Sequence, residues 1–239
     1  VSIGNNYFSD KEIMLDLPQL KGKIEITSEF KPWPVSLKSP GIMGWYGFVP
    51  FMECFHGIVS FGHNLSGSLQ VEGKSKSYTG GKGYIETDWG KSFPAGYIWM
   101  QTNHFDFNSE TSLIASAAII PWLGKSFRGF IVGLMHEGNL YKWTTYNSAK
   151  ELKLELTDQE VIWILDGPDG KLEIKAKRVR GGLLHAPLHK DMHRRVEETM
   201  DSSVQLKLTD KLGHVICQGT GSAAALRDDP AVRAAYLGF

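Results

Sequence analysis

The sequence predicts an all-β protein, an antiparallel barrel or a pair of barrels, on three observations. Apolar residues recur with a period of two, the spacing of a strand that shows one face to a core and the other to water or a cavity. Helical periodicity is nearly absent until the tail. Between the alternating runs stand turn sequences such as Asp166-Gly167-Pro168-Asp169-Gly170, Glu137-Gly138-Asn139 and Asp210-Lys211-Leu212-Gly213, where Gly and Asn accept positive φ at little cost.

Taken in order, the expected strands begin with Ile24 to Phe30, His56 to Phe61 and Leu65 to Val71. Tyr97 to Phe105, Leu113 to Ile120, Phe127 to Leu134 and Leu140 to Tyr146 follow. Val161 to Leu165, Lys171 to Val179, Ser203 to Leu208 and His214 to Gly219 complete the set. The stretch from Lys31 through Pro32, Pro34 and Pro40 to Gly41 cannot be a central strand, because each Pro lacks the ladder N–H, so it is a connection. Only the tail reads as helix: Asp229 caps, Pro230 suits the first position, Ala231 to Tyr236 propagate, and Gly238 terminates.

Composition narrows the function. With 239 residues, 42% hydrophobic and 22% charged, the chain can bury a substantial core, which excludes disorder, a collagen and a disulfide scaffold. The 26 basic and 26 acidic side chains balance, so the basic footprint that draws a domain onto nucleic acid is missing. No run approaches the roughly 18 apolar residues of a membrane helix. Cys54 and Cys217 match no metal spacing or redox pair, and a reduced, cytoplasmic compartment is the default.

Three patterns invite chemistry and fail on inspection. Gly-Lys-Ser occurs at Gly73, Gly90 and Gly124, but a phosphate loop needs Gly five residues earlier, where Ser68, Ile85 and Ile119 stand; turns are expected instead. His185, His189 and His193 are spaced as metal ligands on a helix, yet Pro187 interrupts it and Lys190, Arg194 and Arg195 repel a cation. A solvated loop is the expectation there. Asn64-Leu65-Ser66 fits a glycosylation acceptor, a triplet common by chance.

The informative stretches run from Gly41 to Phe55 and from Gly80 to Phe105. The first is apolar and aromatic, with Trp45 and Tyr46, and holds one carboxylate, Glu53, with one imidazole, His56, three residues on. Lone ionisable groups in such company tend to have shifted pKa values. The second carries Tyr84, Glu86, Asp88 and Trp89, and then a strand whose alternation puts Tyr97, Trp99, Gln101, Asn103 and Phe105 on one face. Flat aromatics mixed with amides suit a ligand cavity: rings hold an apolar body while amides orient a polar ring. The same residues would also serve as sandwich core with amides bonded to backbone.

Three blocks make the sequence familiar. They are Pro40-Gly41-Ile42-Met43-Gly44-Trp45-Tyr46, Val49-Pro50-Phe51-Met52-Glu53, and Gly80-Gly81-Lys82-Gly83-Tyr84-Ile85-Glu86-Thr87-Asp88-Trp89-Gly90-Lys91-Ser92-Phe93-Pro94. Together with Trp99, Gln101 and Asn103 they resemble the tocopherol cyclase family, above all its shorter bacterial members, from about Gly4 to about Gly221. The resemblance implies two lipocalin-like β-barrel lobes: the remaining part of an incomplete N-terminal lobe over 1–82, a C-terminal lobe over 83–222, and a helical tail over 223–239. It also implies an upstream segment in relatives, so Val1 is expected to begin a truncated or excerpted chain. The activity implied is closure of a chromanol ring from a prenylated quinol, with a hydrophobic small molecule as partner, no nucleic acid, and a transient contact with a membrane to collect the lipid.

Such a closure adds a phenol O–H across a trisubstituted alkene, so a carbon must be protonated and the tertiary cation captured. No cofactor or metal is required. A carboxylic acid kept protonated by apolar surroundings is the expected donor, Glu86 first and Glu53 second, with Asp88 and His56 as further catalytic candidates. Trp45, Tyr46, Tyr84, Trp89, Trp99, Gln101 and Asn103 are the expected substrate contacts, the rings facing the cation. Glu86 and Asp88 share a strand face if extended, and a structural salt bridge from Asp88 to Lys82 or Lys91 fits equally. Two other functions stay open: a lipocalin-like carrier without chemistry, and a hydratase in which water replaces the phenol.

Overall fold

The computed structural model describes residues 1–37, 39–188, 191–223 and 225–228. They form antiparallel β-sheet throughout, with a single 3-10 turn, Gly44–Phe48, as the helical element among them. The helix expected from Asp229 lies outside the described residues.

The chain divides into two compact units, Val1–Trp33 with Ile58–Glu86, and Pro34–Gly57 with Thr87–Phe239. The first unit is built on β1 (Ser2–Ile3), β2 (Asn6–Phe8), β3 (Glu12–Asp16), β4 (Leu20–Ile26), β6 (Lys74–Ser77) and most of β5 (Cys54–Val71) and β7 (Lys82–Gly90), whose outer ends, up to Gly57 and from Thr87, belong to the second unit. They pair in sequence order from β1 to β6, with β7 on the other part of β5. The strands expected at His56 and at Leu65 are one continuous 18-residue strand, β5. Gly62 and Asn64, which break the alternation in sequence, are carried through because the ladder to β4 resumes at Leu65↔Ile26. A small core of Ile24, Trp33, Ile58, Phe61 and Leu69 holds this unit, with Trp33 stacked on Phe61. Inside it His63 takes Ser60 Oγ at 3.0 Å, and burial pushes its pKa down, so the neutral ring is favoured.

The second unit contains β8 (Tyr97–Thr102), β9 (Ser112–Trp122), β10 (Lys125–His136), β11 (Asn139–Thr144), β12 (Lys150–Leu156), β13 (Glu160–Gly167), β14 (Gly170–Lys177), β15 (Gly182–Leu188), β16 (Asp191–Glu198), β17 (Ser202–Thr209), β18 (Val215–Ala223) and β19 (Ala225–Asp228). One sheet runs β11-β10-β9-β8-β19 and another β12-β13-β14-β17-β18. Their inner faces share one core: Met100, Leu113, Val132 and Trp143 from the first meet Trp163, Leu172, Ile174 and Leu206 from the second, all essentially inaccessible. Trp143 Nε1–H donates to the Gly170 carbonyl at 2.8 Å, so the ring is buried without leaving a donor unmet.

Among the described residues no sheet closes on itself through hydrogen bonds, which differs from the barrels expected. The two sheets of the second unit meet at one corner, where Phe105 bridges Gly221 and Ser222 N–H donates to the His104 carbonyl at 3.0 Å. Face-to-face packing over a shared core satisfies the apolar faces without completing a ring of strands. Ala225–Asp228, which the sequence groups with the helical tail, is instead a strand beside β8.

Local expectations fare according to how local their physics is. The Pro-rich connection carries no strand between Lys31 and Gly41 in the described residues, and burial alternates residue by residue along β13, β14 and β17, whereas β8 is buried on both faces. Gly73 and Gly124 do lie in two-residue turns, each following a residue at positive φ, as does Gly138. Gly90 does not: it ends β7, its Cα against the Glu53 carbonyl. The segment read as a solvated loop around His185 is a two-stranded ribbon, β15 with β16, while His189 and Lys190 lie outside the described residues. Pro187 is tolerated because both strands of a ribbon are edges, with half their N–H groups outside the ladder.

Candidate functional site

The register of the first sheet of unit two separates its residues cleanly. Met100, Ala115, Val132 and Trp143 are matched across the strands and face the core. Trp99, Ser116, Ile131 and Thr144 are likewise matched one position away, so they occupy the opposite face, together with Tyr97, Ala118 and Gly129. On that face the central positions Ser116, Ala118 and Gly129 are small, and the missing side-chain volume leaves a hollow. Its roof is the segment after the Pro-rich connection, which lowers Met43, Tyr46 and Met52 over it. The result is a small apolar pocket with a cavity volume of about 70 Å³, well below the roughly 300–1,000 Å³ common for small-molecule sites.

The roof is fixed by identifiable contacts. Gly44 has φ +57°, and a Cβ there would meet the Tyr146 ring at 2.7 Å, so only glycine lets the 3-10 turn lie on that ring. The Tyr146 hydroxyl donates to the Ile42 carbonyl at 2.5 Å, and Ile42 is fully buried. Tyr46 packs against Trp122 and Phe127, with Trp45 stacked on its outer side at 3.9 Å between centroids. Burial pushes the hydroxyls of Tyr46 and Tyr146 above their ordinary range, so both remain protonated donors at neutral pH.

Beside the roof stands an ionisable pair. The His56 backbone N–H donates to Met43 Sδ at 3.3 Å, which ties the start of β5 to a residue lining the pocket. His56 Nδ1 hydrogen-bonds Asp88 Oδ1, and both side chains are mostly shielded from solvent. Phe55 and Trp89, the next residues on the two strands, stack at 5.6 Å. Asp88 therefore takes its charge partner from His56 and not from Lys82 or Lys91; Lys82 Nζ donates to Asn64 Oδ1. A carboxylate on one ring nitrogen fixes the tautomer and stabilises the imidazolium when it forms. His56 and Asp88 could also each offer one ligand atom to a metal ion.

The other expected site residues are distributed more widely. Glu86 and Tyr84 lie at the end of the first unit, half-buried, with the Tyr84 hydroxyl donating to Glu86 Oε2 at 2.5 Å. Glu53 contributes its carbonyl, which accepts from Lys91 N–H at 2.8 Å and Ser92 N–H at 3.3 Å. Trp99 and Gln101 are buried on the pocket-side face of β8, and Gln101 Nε2 meets no acceptor among the described residues. Asn103 is buried just past the end of β8, and Phe105 has turned into the core. Trp45 and Trp89 are about half exposed. Sequence reasoning missed Trp122, Phe127 and Tyr146; the run Ala115-Ser116-Ala117-Ala118, small residues in the middle of a strand, was the available signal for the hollow.

The fold and site together define an antiparallel β protein with an apolar, aromatic-roofed pocket and a carboxylate–imidazole pair one backbone hydrogen bond away from its lining residue Met43. A family model described as tocopherol cyclase-like matches residues 25–227, and the chain belongs to that family. It is 24% identical over 204 residues to a probable chloroplastic tocopherol cyclase of Oryza sativa subsp. japonica and to the chloroplastic tocopherol cyclase of Zea mays. Those matches cover 80% of this chain but 43% and 42% of theirs, so it spans less than half the length of these relatives. Among solved structures, kievitone hydratase from Nectria haematococca is similar with a TM-score of 0.54 at 14% identity, over 96% of this chain and 70% of that one, a likeness of fold.

Proposed function

We propose that the protein is a tocopherol cyclase-like enzyme that adds a phenol hydroxyl across a prenyl alkene to close a chromanol-type ring. The observation that carries this reading is the placement of the His56–Asp88 pair next to Met43, a lining residue of the apolar pocket, in a chain of this family. In the step envisaged, the pair delivers a proton to the less substituted alkene carbon, forming a C–H bond. The tertiary cation at the other carbon is captured by the phenol oxygen, a C–O bond forms, and the phenol proton returns to the pair. Atoms and charge balance, and the product is an isomer of the substrate. The faces of Tyr46 and Phe127, which line the pocket, would stabilise the cation by up to about 2 kcal/mol when water is excluded. The two units would correspond to two lipocalin-like lobes. Glu86, with Tyr84, and Glu53 remain proposed acids of second rank, because Glu86 already accepts a hydrogen bond from Tyr84.

The test is incubation of the protein with prenylated hydroquinones of several tail lengths, followed by chiral chromatography for the chromanol. No product at any tail length would refute the reading. A second reading is hydration, with water in place of the phenol, as in the hydratase that shares the fold; product mass, heavier by one water than the substrate, separates the two. A carrier without chemistry predicts tight binding and no turnover with either outcome absent.

A further inference from the structure

Unit two leaves a group of large apolar side chains about half exposed or more. Leu123 is 80% exposed, Phe48 64%, Phe51 48% and Trp45 46%. They are neighbours: Trp45 and Phe51 both pack edge-on to Trp122, at 6.1 and 5.3 Å, Leu123 follows Trp122 at the tip of the β9–β10 hairpin, and Phe48 ends the 3-10 turn that carries Trp45. Contiguous apolar surface of this kind marks an interaction site, whereas single exposed residues do not. Two cations border it: Lys125 is exposed one turn residue beyond Leu123, and Lys91 is exposed with its backbone bonded to Glu53, two residues from Phe51. The patch is also continuous with the pocket wall, since Trp45 stacks on Tyr46 and Trp122 packs on Phe127, both lining residues.

We infer that this face docks onto an anionic lipid surface, seating Trp45, Phe48, Phe51 and Leu123 at the headgroup–acyl boundary with Lys91 and Lys125 against the headgroups. Tryptophan and lysine flanking an apolar tip is the arrangement interfacial binding rewards: the aromatic ring sits at headgroup depth, the apolar tip enters, and the cations meet negative charge. The continuity of the patch with the pocket gives the docking a use, because an apolar ligand can leave the lipid for the pocket without crossing water. This use rests on the proposed ligand class, whereas docking itself does not and is measured without any substrate.

The experiment is co-sedimentation of the full chain with vesicles of phosphatidylcholine alone and of phosphatidylcholine with phosphatidylglycerol. Wild type is expected to partition onto the anionic vesicles, and Phe48→Ser with Leu123→Ser to lose about tenfold or more of that partition. Lys91→Glu with Lys125→Glu is expected to abolish the preference for anionic vesicles, about fivefold per lysine at low salt. Wild type staying in the supernatant, or both double variants partitioning like wild type, would overturn the assignment. So would vesicle-independent self-association that Phe48→Ser with Leu123→Ser removes, which would give the face to a second copy of the chain. Wild type that stays off the vesicles yet forms chromanol from detergent-dispersed substrate would mark failure of the docking alone.

Discussion

Replacing Gly44 with alanine is expected to unseat the pocket roof. The backbone at Gly44 is left-handed, with φ +57°, which costs an L-residue roughly 1–2 kcal/mol, partly offset by about 0.4–1 kcal/mol from the stiffer unfolded chain. The new Cβ would stand 2.7 Å from Cε2 and Cζ and 2.8 Å from Cδ2 of the Tyr146 ring, so the ring has to move by most of an ångström, an overpacking cost of about 1–3 kcal/mol. That ring is held by the 2.5 Å hydrogen bond to Ile42, and losing it adds about 0.5–1.5 kcal/mol. The total is roughly 1.5–6 kcal/mol, or a fall in Tm of about 3–24 °C for a chain of this size. Gly138→Ala supplies the control: its φ is +79° and a Cβ there meets nothing within 4 Å, so only the backbone contribution remains. Urea and thermal unfolding of both variants give the comparison. If Gly44→Ala unfolds within ~0.5 kcal/mol of Gly138→Ala, the roof is not seated on Tyr146 and the pocket geometry is wrong.

Three further outcomes follow from the same geometry. His56→Ala and Asp88→Asn should each lower chromanol formation by about 10²–10⁴-fold, and the double variant should lose little more than either, because the pair acts as one unit; multiplicative losses in turnover assays would dissolve the pair. Tyr146→Phe removes the donor to the buried Ile42 carbonyl and should cost about 1–3 kcal/mol in denaturant titration, with a raised KM for an apolar substrate. Burial raises the Cys217 thiol from 9.0 to about 11, so the folded chain keeps a proton that the unfolded chain loses. Stability from this group is complete below about pH 9 and is lost as pH rises through about 11, roughly 2–3 kcal/mol in all, and Cys217→Ala should flatten that alkaline slope of the unfolding free energy.

What could be read from residues alone followed how local each determinant is. The residue pattern placed β8 to within three residues at its end, but it could not say that the strand is buried on both faces, that Thr102 closes it and that Phe105 turns to meet Gly221. The short strands β1, β2 and β3 escaped notice since their side chains are largely exposed and carry little apolar signal. Of the site, His56 and Asp88 were both legible as ionisable residues in apolar company, yet their pairing was not, being 32 positions apart in sequence. The alternative partners Lys82 and Lys91 looked as good only because they are near in the chain.

The sequence by itself determined that the protein is antiparallel β, that its Pro-rich segment is a connection, and that its motifs belong with the tocopherol cyclases, all matters of period, backbone chemistry and residue pattern. Only the tertiary structure decided which face of the β8–β11 sheet is core and which is pocket, since both faces carry apolar residues and alternation is blind to what covers them. The choice is made by cross-strand register, which gathers Ser116, Ala118 and Gly129 on one face, and by a roof whose approach depends on one glycine lying against one tyrosine ring. Register and long-range packing are properties of pairs of distant residues, and no single stretch of chain contains them.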